Sequence, residues 1–231
     1  MRKKLIVANW KSNKNPGQAA GWLDDFILGT KDLNLKTNDF EVVICPPYID
    51  LPYLKEKLST SSLRFEIRLG AQDISPFTEG SYTGAVTASQ VKELVSYCLV
   101  GHSERRKNFS ETTQLVAQKI DSLLKEKIKP IVCAQSSDEI PDNIKNYLPD
   151  DIVVMFEPAK AISVGGIYQA EDPKQVEKTI AEWKKDIGPY QMLYGGSVNS
   201  SNVVDLFSAQ AEGFVIGHAS LEIQSFIEIL Q

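Results

Sequence analysis

Tyr97-Cys98-Leu99-Val100-Gly101-His102-Ser103-Glu104-Arg105-Arg106 decides the reading of this chain. An unbroken apolar run meets a glycine and passes directly into a polar segment able to form a helix. Continuous apolar runs suit strands covered on both faces, and strands that feed helices suit a parallel sheet with helical crossovers. Seven further runs repeat the pattern: Lys4 to Asn9, Phe40 to Cys45, Phe65 to Gln72, Pro130 to Ala134, Ile152 to Glu157, Gln191 to Gly195 and Gly213 to Gly217. With Tyr97 to His102 they make eight. Eight β/α units in 231 residues fit an α/β fold of the closed (β/α)8 barrel type, a parallel eight-stranded sheet spanning 1–231 as one domain. A doubly wound open sheet is the alternative, and periodicity alone does not choose between them.

Local signals mark the helices. Asp172 reads as an N-cap, Pro173 as the first helical position, Gln175 as the second half of a capping box, and Gly188 as the stop, with Val176, Ile180, Trp183 and Ile187 on the buried stripe. A second amphipathic helix follows Ser110, with Leu115, Val116, Ile120, Leu123 and Leu124 on one face.

Composition excludes several classes. The 42% apolar and 24% charged content is that of a globular protein, which excludes disorder, collagen and coiled coil. Lys and Arg number 25 against 30 Asp and Glu, so a net charge of −5 argues against nucleic acid or an anionic membrane as the main partner. The basic start Met1 to Lys4 leads only into Leu5 to Ala8, shorter than a signal-peptide core, and no apolar run has the length of a spanning helix, so a cytoplasmic location is expected. Cys45, Cys98 and Cys133 are widely spaced in apolar runs without a C-x-x-C, and read as buried reduced thiols.

In either α/β fold ligands bind at the carboxyl ends of the strands. There the chain carries Asn9-Trp10-Lys11, the segment Gly101 to Arg106, Glu157-Pro158, Tyr194-Gly195-Gly196-Ser197-Val198 and Gly217-His218-Ala219-Ser220-Leu221. Each has a plain structural explanation as well. A lysine after a strand is usually solvated, a histidine at a strand–helix junction can cap or fill space, and two glycines can be only a turn. Small residues after a strand also let backbone N–H groups close on an anion, and spacing alone leaves turn and phosphate cradle equally open.

Taken together, N-W-K, G-H-S-E-R-R, E-P and Y-G-G-S-V in this order resemble the triosephosphate isomerase family over nearly the whole chain. The resemblance implies an aldose–ketose isomerase of glycolysis and gluconeogenesis, interconverting dihydroxyacetone phosphate and D-glyceraldehyde 3-phosphate through an enediolate. It implies Glu157 as general base, a neutral His102 as electrophile, Lys11 and Asn9 as stabilisers of the oxyanion, and Glu104 as the carboxylate beside them. Ser163, Ser197, Gly217 and His218 would hold the substrate phosphate, and Pro158 to Gly166 would form a lid. No cofactor and no metal are expected. The partner is a second copy of the chain, in a dimer or alternatively a tetramer, with the loop Gln72 to Gly84 inserting into the neighbour and Thr83 reaching its site.

The chain departs from the family pattern at identifiable places. Lys160 stands where the lid tryptophan is usual, Ser163 where a glycine is, Ser136 where the tryptophan's glutamate partner is, and His218 replaces the second glycine of the phosphate loop. Ala85 replaces a glutamate, which would leave Arg105 short of an ionic partner. The stretch from Cys133 to Glu157 is too short for the usual crossover, leaving a short helix near Asp138 to Tyr147 and a thin wall that exposes apolar surface unless a neighbour covers it. A non-catalytic phosphosugar-binding barrel with an impaired lid is therefore the alternative function. A metal-dependent epimerase on the same barrel is hard to build with only two histidines.

Overall fold

A computed structural model describes residues 2–31, 33, 39–61, 63, 65, 67–159 and 170–231. Eight strands, each hydrogen-bonded to the next, form a closed parallel barrel in sequence order, which settles the choice against an open sheet. They are β1 (Lys4–Asn9), β2 (Phe40–Cys45), β3 (Ile67–Ala71), β4 (Tyr97–Val100), β5 (Lys129–Ala134), β6 (Val153–Phe156), β7 (Gln191–Tyr194) and β8 (Gly213–Ile216). The first two match the sequence reading residue for residue. At the carboxyl ends of β3, β4, β6, β7 and β8 the expected strands run one or two residues too far.

Closure is made where β8 pairs with β1, Leu5 opposite Gly213 through Ala8 opposite Ile216. At Gly213 the backbone approaches so closely that a Cβ would lie 2.0 Å from the Leu5 carbonyl oxygen. Only glycine allows that approach. Outside the seam, Trp10, Trp22, Phe26 and Phe226 pack ring against ring, and the Trp22 indole donates to the Ser220 carbonyl at 3.0 Å.

The pleat divides the strands between two cores. Leu5, Val7, Val43, Cys45, Leu99, Ile131, Cys133, Val153, Met155, Leu193 and Val215 fill the barrel interior. Their neighbours Ile6, Ala8, Val42, Ile44, Val132 and Val154 face the surrounding helices. The three cysteines are buried and unpaired, as expected.

The helices are α1 (Pro16–Thr30), α2 (Leu51–Ser59), α3 (Ala88–Val91), α4 (Ser103–Phe109), α5 (Thr113–Lys125), α6 (Pro173–Ile187), α7 (Val203–Ser208) and α8 (Ile223–Leu230). α6 begins as expected, with the Asp172 side chain accepting the Lys174 N–H and Gly188 ending it at φ 120°. Gln175, however, does not close a capping box. Its side-chain amide donates to Thr179 Oγ1 instead. In α5 the buried stripe includes Lys119, which the apolar pattern could not announce.

The short crossover between β5 and β6 contains no α-helix. Two 3-10 turns, Ser137–Glu139 and Asp142–Asn146, replace the expected one. Its wall is sealed from within the chain. Ile140 and Ile144 are buried, the Ile144 carbonyl accepts from the Tyr190 hydroxyl, and the Asn143 amide donates to Ala117 of α5. Leu148, 70% exposed, is the one large apolar side chain that the described crossover turns outward.

Candidate active site

Strand parity explains how the site assembles. Leu5, Val7 and Asn9 share the inward face of β1, as do Val153, Met155 and Glu157 on β6, and Val215 and Gly217 on β8, so the next inward position past each apolar run reaches the barrel mouth. β4 obeys a different rule, because Gly101 at φ 73° turns the chain and swings His102 into the mouth. Asn9, Lys11, His102, Glu157, Ser197, Gly217 and His218 thereby line one cavity of about 240 Å³.

Within it, His102 Nε2 lies 3.3 Å from Glu157 Oε1, and both side chains are buried. His102 caps α4, its Nδ1 accepting the Glu104 N–H at 3.3 Å. A nitrogen that accepts carries no proton, so the ring hydrogen belongs on Nε2, the nitrogen that faces the cavity. Glu157 is held by a residue that the sequence reading passed over. Ser103 gives its backbone N–H to Oε2 at 3.1 Å and its hydroxyl to Oε1 at 2.8 Å. The first residue of a helix offers an unpaired N–H to an anion, so the signal was present in the strand–helix junction.

Lys11 sits at φ 53°, its Nζ 2.5 Å from Glu104 Oε1. Its backbone is fixed twice, by its N–H donating to Asn9 Oδ1 at 3.2 Å and by its carbonyl accepting from Gln72 Nε2 at 2.9 Å. Gln72 also binds the Cys45 carbonyl, tying the first three strand ends together. Gly217 lies against the Lys11 side chain, where a Cβ would come 3.4 Å from Cε. A Cβ on Gly196 would meet Tyr194 Oη at 2.2 Å, so that turn passes directly over the tyrosine ring. The Tyr194 hydroxyl in turn accepts the Glu171 N–H at 3.0 Å.

Arg105 does not lack ionic partners. Its Nε lies 2.7 Å from Asp73 Oδ2 and 2.8 Å from Glu111 Oε2. Both carboxylates come from the same chain, Glu111 from just beyond α4 and Asp73 from the distant loop after β3. Thr83 is exposed on the loop after β3. Ser163 and Lys160, with residues 161 to 166 of the expected lid, lie outside the described residues; Pro158 and Ala159 lie within them.

No helix among the described residues is long and apolar enough to cross a membrane. The family model for triosephosphate isomerase matches residues 4–231. The chain is 33% identical to the triosephosphate isomerase of Thermus thermophilus, over 100% of this chain and 99% of that one. It is 35% identical to that of Alkaliphilus metalliredigens, again over 100% and 99%, and 33% identical to that of Mycoplasma genitalium, over 99% and 98%. A closed eight-stranded barrel, a mouth that gathers Lys11, His102 and Glu157, and matches that run the length of the sequence agree: the chain belongs to the triosephosphate isomerase family.

Proposed function

We propose that this barrel interconverts dihydroxyacetone phosphate and D-glyceraldehyde 3-phosphate, serving glycolysis and gluconeogenesis in the cytoplasm. The observation that carries the proposal is the 3.3 Å approach of His102 Nε2 to Glu157 Oε1 in the cavity that Lys11 also lines. A small molecule there touches a carboxylate, an N–H donor and an ammonium group at once.

Glu157 takes a proton from the carbon beside the carbonyl and returns it to the neighbouring carbon, so nothing is consumed and no cofactor is needed. The electron pair released moves onto the carbonyl oxygen. There the His102 Nε2–H and the Lys11 ammonium stabilise the enediolate, with Asn9 beside them and Glu104 holding the ammonium in place. Because Ser103 occupies both oxygens of Glu157, substrate entry has to exchange those hydrogen bonds for the reacting carbon. Ser197, Gly217 and His218 line the side of the cavity suited to the phosphate, as does Ser163 by its place in the lid. Closure of that lid keeps water from the enediolate.

The working unit is inferred to be a homodimer. Phe77 and Tyr82 stack at 4.3 Å on the exposed loop after β3, 47% and 44% exposed, beside Thr83. A second cavity of about 420 Å³, lined by Pro46, Pro47, Tyr48, Phe109 and the opposite side of Lys11 and His102, is of the kind such a loop tip fills. Turnover of purified protein in a coupled assay, with native mass at the same concentration, tests both readings. Tight binding of a phosphate ligand without turnover would instead make the protein a binder, and a fourfold mass would make it a tetramer.

A further inference from the structure

Asp73, the second residue after β3, belongs to none of the strand-end motifs, yet it lies in a compact group of four charges beneath the His102 turn. Lys119 Nζ is 2.7 Å from Asp73 Oδ1 and 2.7 Å from Glu111 Oε2, and Arg105 Nε is 2.7 Å from Asp73 Oδ2 and 2.8 Å from Glu111 Oε2. The two cations thus bridge the same two carboxylates. The side chains of Lys119, Glu111 and Asp73 are 4%, 2% and 13% exposed. Glu111 has one more task, because its Oε1 accepts the Gly101 N–H at 2.8 Å. Gly101 is the residue whose turn brings His102 into the cavity.

We propose that Asp73 is a positioning residue of the isomerisation: by holding Arg105 and Lys119 against Glu111, it fixes the Gly101 turn that presents His102. The chain of contacts runs from the β3 loop through α4 and α5 to the β4 turn, all within one protomer. Without the Asp73 charge, Arg105 and Lys119 both converge on Glu111 Oε2, and the pull on that carboxylate is transmitted to the Gly101 N–H and so to the imidazole. A displacement of about 1 Å at a reacting group is enough to lower turnover substantially.

The groups facing Asp73 define its titration. Burial pushes its carboxyl up to about 6, Glu111 adds to the rise, and Lys119 and Arg105 oppose it. Burial also pushes the nearby Tyr48 and Cys98 up, so both stay protonated. The Tyr48 hydroxyl donates to the Asp73 backbone carbonyl and does not compete for the carboxylate.

The proposal rests on His102 as the electrophile, and the test separates the two. Turnover of the full-length enzyme and its Asp73→Asn variant is compared between about pH 5 and pH 8, with native mass recorded at each point. The expected result is a deficit of about tenfold in kcat at pH 8 with KM nearly unchanged, shrinking towards parity near pH 5, where Asp73 of the parent enzyme is itself protonated. Glu157 and His102 are common to both proteins and cancel in the ratio. A ratio constant with pH, a parent-like kcat at pH 8, or a deficit that follows loss of the native oligomer would each overturn the proposal. Should the variant fail to fold, the parent alone decides by NMR: the Gly101 amide signal, bonded to Glu111, is expected to follow the Asp73 carboxyl through its midpoint near 6. A Gly101 amide signal blind to that midpoint would overturn it. Full activity of His102→Gln would remove the electrophile role, not the coupling between Asp73 and the turn.

Discussion

Ser103 holds Glu157 by both carboxylate oxygens, through its N–H at 3.1 Å and its hydroxyl at 2.8 Å. Glu157 therefore rests beside His102 in a defined place, where both of its oxygens are engaged by the serine. Glu157→Gln keeps the shape and one acceptor oxygen but cannot take a proton. We expect kcat to fall about a thousandfold or more with the melting temperature little changed. Ser103→Ala, which removes only the hydroxyl bond, should cost less than about tenfold. A steady-state assay that ranks the two variants the other way would refute the assignment of Glu157.

Lys11 is half-buried, bonded to Glu104 and lying against Gly217. In the proposed reaction its ammonium stabilises both the developing oxyanion and the substrate phosphate. Lys11→Met should lower kcat/KM by about a hundredfold or more, with KM raised as well as kcat reduced. Near-normal turnover would show that backbone amides alone carry the dianion.

The turn after β7 has no room for a side chain at Gly196, because Tyr194 Oη occupies the space. Gly196→Ala must push the tyrosine ring or the turn aside, and either movement disturbs the Tyr194 hydroxyl that accepts from Glu171. A loss of about 1–3 kcal/mol in unfolding free energy is expected, together with a higher KM. Urea denaturation and substrate titration measure the two effects separately.

Charge at the base of α5 sets a pH signature in stability. The Asp73 carboxyl is raised from 3.8 to about 6, so the folded state binds more protons there than the unfolded state between those values. Its contribution is present below the unfolded value and is lost as pH rises through 6. Burial alone would raise Glu111, but Lys119, Arg105 and the Gly101 N–H outweigh burial and hold it below its ordinary value. The stability advantage of the parent over Asp73→Asn should therefore shrink by about 1 kcal/mol between pH 5 and pH 7 and stay level above that. An advantage that grows with pH in urea unfolding would reverse the assigned direction.

Lys119→Met tests the same cluster from its other side. The substitution nearly preserves length and removes the cation that Asp73 and Glu111 share. Leaving two buried carboxylates with Arg105 alone is expected to cost about 3–5 kcal/mol. A variant as stable as the parent in thermal and urea unfolding would show that the cluster contributes nothing to the fold.

Much of this protein was legible in its sequence because the relevant physics is local. Continuous apolar runs announced the strands, and β1 and β2 were placed to the residue. The place of Glu157 directly after the apolar run of β6 already marked it as a strand-end residue. The N-cap at Asp172 and the glycine stop at Gly188 were likewise set by neighbours a few positions away. Tertiary structure alone decided whether the sheet closes, since that depends on Leu5 meeting Gly213 across almost the whole chain. It also decided that Gln175 prefers Thr179 to a capping box, that the short crossover forms 3-10 turns, and that Lys119 of α5 is buried beside Asp73 and Glu111. Side-chain pairing of this sort is settled by Coulomb energy and burial between segments that folding brings together, and neither quantity exists until the barrel has formed.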